Sequence, residues 1–315
     1  MHTIPETVAA IMAPDHGMLV LDEYAEALVA DRGPDDAAGL AFSEFVLNTP
    51  GLDEHVSAVL LTERSFARAA ARGDRSGGAR TGPLIGVRVP VGQRGVIDEA
   101  ALEAHASAGA AFAELRANLG VGDVARGSAY IEAEALARAA RAAQGAGVLP
   151  VLSVALPDLP TSSIAVSQAA TANALRALRD HLAAHGADPA HLLVRVSMAR
   201  PGAAHPRQAE PAQIAHATLE MLQRGVAPQT PGVLLMSAGQ SLDQACTNLR
   251  AIASLAAELD APWSIGHAFS RAVLGPAARA FDTHTPAASR QALLTACRQA
   301  AEALHPAEAG TSARS

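Results

Sequence analysis

Short apolar runs alternate along this chain with longer alanine-rich segments of helical periodicity. The apolar runs predict strands over residues 17–22, 57–62, 84–89, 111–116, 148–154, 192–198, 232–237 and 262–268. Strands separated by helical stretches build βαβ units and a parallel sheet. Eight such units in sequence predict a closed (β/α)8 TIM barrel, an α/β fold occupying residues 1–304 as one domain. An open doubly wound sheet is the alternative. Helices are expected over 97–109, 133–146, 167–185, 211–222, 242–259 and 286–304, several of them ending at glycines such as Gly147 and Gly186 that suit a helix stop. The glycine-rich stretch 73–83 reads as a plain connection rather than a phosphate cradle, because no strand leads directly into it. Residues 305–315 read as a disordered tail. No linker divides the chain.

Composition narrows the setting. Half of the 315 residues are hydrophobic and 17% are charged, enough for a sizeable core. No apolar run reaches the roughly 18 residues that a membrane helix needs, and the first residues show no secretory pattern. Cys246 and Cys297 fall in helical segments and read as buried free thiols. The expectation is a cytoplasmic protein with no membrane partner. A net charge of −7, with no basic stripe or interleaved aromatics, argues against nucleic acid. The 24 basic residues are all arginine. GC-rich coding would replace surface lysines in this way. Whatever the cause, no side chain offers an amine to form an imine.

One arginine stands out. Residues Leu192-Leu193-Val194-Arg195-Val196-Ser197-Met198-Ala199-Arg200-Pro201-Gly202 read as a buried strand entering a Pro-Gly turn, with Arg195 amid apolar neighbours. A charge there needs a partner or a ligand. The stretch resembles L-L-K-P-N-M-V-x-P-G of the class I fructose-1,6-bisphosphate aldolases. Other segments resemble that family in the same order. Residues 13–23 (APDHGMLVLDE) are similar to A-P-G-K-G-I-L-A-A-D-E, and 109–116 (GAAFAELR) to G-A-D-F-A-K-W-R. Residues 231–241 (PGVLLMSAGQS) resemble P-G-V-x-F-L-S-G-G-Q-S, and Pro262-Trp263 through Ser270-Arg271-Ala272 resemble P-W-x-L-T-F-S-Y-G-R-A.

The resemblance implies the barrel fold and a pocket at the C-terminal ends of the strands. The departures fall in that pocket. Three lysines of the family pattern, including the one that forms its Schiff base, fall on Arg88, Glu114 and Arg195. The glutamates of its V-E-P-E strand fall on Ser153 and Ala155, a third-strand aspartate on Pro90 and a first-strand serine on Tyr24, whereas Asp22 keeps its aspartate. The lysine matches imply that Glu114 and Arg195 face inward as a buried ion pair. Asp22 or Glu114 would then act as general acid/base, with Arg88 and Arg195 stabilising oxyanion charge. Ser237, Gly239 and Arg271 would hold a phosphate or carboxylate, with Arg116 as a further binding residue. The partner expected is a small anionic metabolite with one phosphate or carboxylate rather than a bisphosphate. No cofactor is expected and no metal, since His267, Asp22, Glu63 and Glu114 show no metal-ligand spacing. His267 reads as a hydrogen-bonded core histidine. Three functions remain open: an enzyme of altered chemistry, an inactive relative that binds a metabolite or a partner, and a purely structural barrel. The sequence leaves homo-oligomerisation open.

Overall fold

A computed structural model describes residues 2–32, 37–72, 82–91, 99–116, 128–155, 160–282 and 286–305. Eight parallel strands close a barrel in chain order: β1 (Gly17–Leu21), β2 (Val56–Leu61), β3 (Leu84–Pro90), β4 (Phe112–Arg116), β5 (Leu149–Val154), β6 (Leu193–Ser197), β7 (Gly232–Met236) and β8 (Ser264–Phe269). β8 returns to pair with β1, so no sheet edge is left open.

Side-chain alternation splits the core in two. Inward positions form a column of Met18, Val20, Ala58, Leu60, Leu84, Phe112, Leu149, Val151, Leu193, Leu234 and Ala268. Outward positions such as Leu19, Val59, Val87 and Leu235 pack beneath the helices. The floor of the barrel is closed by helix α1 (Ile4–Ile11), which contributes Val8 and Ile11 to the inner column. Just beyond it, Met12 lies where side chains at Gly232 and Gly266 would otherwise stand; a Cβ on Gly232 would come 2.7 Å from its methyl carbon. Gly86 serves Phe112 in the same way, since a Cβ there would meet the phenyl ring at 2.2 Å.

The remaining helices are α2 (Glu23–Glu26), α3 (Ala37–Leu47), α4 (Glu63–Ala71), α5 (Glu99–Ser107), α6 (Ser128–Gly145), α7 (Ile164–Ala184), α8 (Pro211–Gly225), α9 (Leu242–Glu258), α10 (Arg271–Arg279) and α11 (Ala287–Glu302). Helix α7 begins three residues before the sequence suggests, because the Ser163 side chain caps it by accepting from the Val166 N–H. Helix α6 also starts early, at Ser128. Helices α1, α2, α3, α4 and α10 were not anticipated; α10 carries Pro276 inside it, which obscures the pattern. Residues 73–81 and 306–315, read from sequence as a connection and a tail, lie outside the described residues. Among the described residues no helix is long and apolar enough to cross a membrane. Cys246 and Cys297 are free and buried, and burial pushes their thiols up to about 11 and about 12.

Candidate functional site

Above the apolar column the same inward rows turn polar. Arg88 on β3 is level with Glu114 on β4. Arg116, Ser153 and Arg195 form one rung across β4, β5 and β6. Glu114 has no exposed surface, and both of its oxygens are occupied. Arg88 Nε donates to Oε2 at 2.6 Å, and Arg195 Nη1 donates to Oε1. Arg195 Nη1 also reaches Ser153 Oγ at 3.4 Å. Burial alone would raise the Glu114 carboxyl, but the charges of Arg195 and Arg88 outweigh it and hold it below the usual carboxylate range. Arg88 stays protonated for the converse reason. Its burial opposes the charge, and Glu114, Asp22 and Glu23 overcome it.

Asp22 follows β1 and caps α2. Its Oδ1 accepts from the Ala25 N–H and from Ser270 Oγ, each at 3.0 Å. Its Oδ2 faces Arg88 Nη2 at 3.5 Å. Arg88 Nη1 donates to Glu23 Oε2 at 2.6 Å. The four residues read from sequence as catalytic therefore form one connected cluster spanning β1, β3, β4 and β6.

A cavity of about 450 Å³ opens at the C-terminal strand ends beside this cluster. Arg116, Arg195, Arg200 and Arg271 line it, together with Asp22, Tyr24, Ser237 and Gly239. Arg88 and Glu114 stand behind the lining. Ser237 ends β7 and leads into a tight turn in which Ala238 (φ 50°) and Gly239 (φ 82°) are both left-handed. Gln240 N–H closes that turn on the Ser237 carbonyl at 3.1 Å, and Arg200 Nη2 donates to the Ala238 carbonyl. Arg271 opens α10 with its guanidinium 5.6 Å from the centre of the exposed Tyr24 ring. Arg116 is half-buried, and its Nε is enclosed without a partner.

His267 is elsewhere. It points outward from β8 and lies over Gly17, where no Cβ obstructs it, 4.5 Å from the Phe269 ring. It is buried as the sequence suggests, but neither ring nitrogen has a partner, which corrects the expectation of a hydrogen bond. Burial lowers it to about 4. Among the described residues no group of three or more metal-binding side chains exists.

Sequence reasoning missed Glu23, Ser270 and Arg200. Glu23 and Ser270 each adjoin a residue singled out from the sequence, and Arg200 stands five positions after Arg195, so neighbourhood in sequence was the available signal.

A closed parallel barrel with its polar cluster and cavity at the strand C-termini defines a (β/α)8 barrel with its site where such barrels carry their active sites. The chain belongs to the class I fructose-bisphosphate aldolase family: the description "Fructose-bisphosphate aldolase class-I" matches residues 4–314. Fructose-bisphosphate aldolase 5, cytosolic, of Arabidopsis thaliana is 26% identical, covering 93% of this chain and 88% of its own length. Fructose-bisphosphate aldolase 2 of Caenorhabditis elegans is 27% identical, covering 74% of this chain and 68% of its own. A solved fructose-bisphosphate aldolase from Plasmodium falciparum superposes with a TM-score of 0.81 at 21% identity, covering 96% of this chain and 93% of that one.

Proposed function

We propose that this chain binds a phosphorylated or carboxylated carbonyl metabolite in the barrel mouth and acts on it by non-covalent acid/base chemistry. The observation that carries this reading is the charge of the cavity, where, among the described residues, four arginines and one carboxylate, Asp22, line the wall. Ser237, Gly239 and Arg271 are the groups suited to one anionic end of the ligand. Arg195, fixed by Glu114, offers its remaining donors to the ligand oxygen that carries or takes on negative charge. Asp22 is the proton carrier, since its Oδ2 is the one carboxylate oxygen of the cavity wall that is not hydrogen-bonded within the cluster. Glu114, fully enclosed between two guanidiniums, positions Arg88 and Arg195 rather than moving a proton.

Enolisation, isomerisation, dehydration and a non-covalent aldol step can each use a proton carrier beside oxyanion-stabilising donors of this kind. An imine route is not open to it. The sequence has no lysine, and a guanidinium stays protonated at any working pH.

A second reading, binding without turnover, draws support from the commitment of Asp22 Oδ1 to a helix cap and to Ser270. The two separate by experiment. Phosphorylated carbonyl compounds are screened by thermal shift, and each one that binds is followed by NMR for exchange of its α-proton with deuterium. Exchange that disappears in Asp22→Asn while binding persists supports the enzyme; asparagine still caps a helix. Binding with no exchange in the native protein supports the second reading. If nothing of this class binds, both fail.

A further inference from the structure

The rung Arg116–Ser153–Arg195 has a property that the proposed phosphate or carboxylate site at Arg271 does not use. Adjacent parallel strands stand about 4.8 Å apart, so two inward arginines are separated by roughly two strand spacings with only a serine between them. Ser153 is 1% exposed and holds Arg195 Nη1 through its hydroxyl. Arg195 is itself 5% exposed, yet its Nε lacks a partner and its Nη2 makes no bond among the described residues. Arg116 has an enclosed, unpartnered Nε and, among the described residues, no ion pair at close range, although its charge reaches Glu114. Both residues line the cavity.

Two under-used guanidinium forks either side of a small side chain suit a planar, two-oxygen anion, which accepts from each fork through a separate oxygen. A neutral carbonyl presents one oxygen and would leave one fork unsatisfied. The charges agree. Glu114, behind the wall, is shared between Arg88 and Arg195, whereas Arg88 faces Asp22, Glu23 and Glu114 together. Among the described residues, Asp22 and Glu23 therefore lie on the Arg88 side, and Arg195 and Arg116 have only Glu114 to share.

We propose that Arg116 and Arg195 form a carboxylate subsite, so that the ligand is a short carboxylic acid carrying a phosphate at its far end. This rests on the reading of the cavity as a metabolite site, with the phosphate at Ser237, Gly239 and Arg271. The acid fills the rung as the phosphate occupies the β7–β8 side, which leaves Asp22 beside the carbon chain between them.

The experiment compares probes that share a phosphate and differ at the other end: 3-phosphoglycerate against glycerol 3-phosphate, and 6-phosphogluconate against glucitol 6-phosphate. Affinities are measured by calorimetry on the full chain. Each acid is expected to bind at least about tenfold more tightly than its alcohol, and Arg116→Ala is expected to erase that difference while leaving the alcohols unchanged. Arg116 carries this test because it has no structural bond to lose. If both members of each pair bind equally, the carboxylate subsite is overturned and the phosphate site stands. If neither member binds, the metabolite reading itself falls.

Discussion

Glu114 is enclosed completely, and it lies between two cations supplied from opposite directions, Arg88 from the neighbouring strand and Arg195 from two strands away. Removing one partner of such a cluster leaves the other charge desolvated. Arg195→Met is expected to lower unfolding free energy by about 3–5 kcal/mol in urea titrations. The double variant Arg195→Met with Glu114→Leu should cost clearly less than the sum of its singles, and strict additivity would mean that the two do not interact. His267 makes a prediction of the opposite kind, because it has no partner to lose. Its folded value of about 4 lies below the ordinary 6.5. The unfolded chain therefore takes up the proton first as pH falls, and stability present above pH 6.5 drains away towards pH 4. Between pH 7.5 and 4.5 the native protein should lose about 2–3 kcal/mol more than His267→Leu. Equal losses would contradict the buried neutral ring. At this scale the sequence was informative where a charge interrupted an apolar strand, as at Arg195. It was silent where the deciding fact was a missing neighbour, as at His267, whose surroundings come from Gly17 on β1, adjacent in the barrel but remote in sequence.

Elements here are defined by what their neighbours leave room for. The Phe112 ring of β4 occupies the space above Gly86 of β3, so Gly86→Ala forces a clash inside the barrel. That substitution should destabilise by about 1–3 kcal/mol, and Phe112→Leu in the same background should recover part of it. Thermal melts of the single and double variants decide the matter; a Gly86→Ala protein as stable as the native chain would show that the ring is not confined. The strands were readable because their apolar runs are compact and bounded by Gly, Pro and Asp. Helices were harder. An alanine-rich chain has weak contrast between helix faces, as in α3; α1 and α4 run only 8 and 9 residues, and α7 starts where a serine side chain finds a backbone N–H.

For the molecule as a whole, chemistry follows from the absence of a side-chain amine together with the closed barrel. Borohydride added during incubation with dihydroxyacetone phosphate is expected to leave the intact mass of the chain unchanged, whereas a reduced adduct on a side chain would refute the non-covalent route. The fold and the resemblance were legible from end to end, and the inward face of the central rung was too. The Glu114–Arg195 pair was legible as well; what escaped was the rest of the charge allocation, in which Glu114 also serves Arg88 and Arg88 reaches Glu23, contacts 26 and 65 residues apart. The same allocation constrains substitution. Arg195→Lys alone would place an ammonium against Glu114, which would keep it protonated and unreactive. Glu114→Lys alone would crowd three cations into one desolvated spot. A lysine at either position alone is thus penalised, one by a locked proton and the other by instability. Positions 114 and 195 are bound to each other by the charge they share, so a change at one calls for a change at the other.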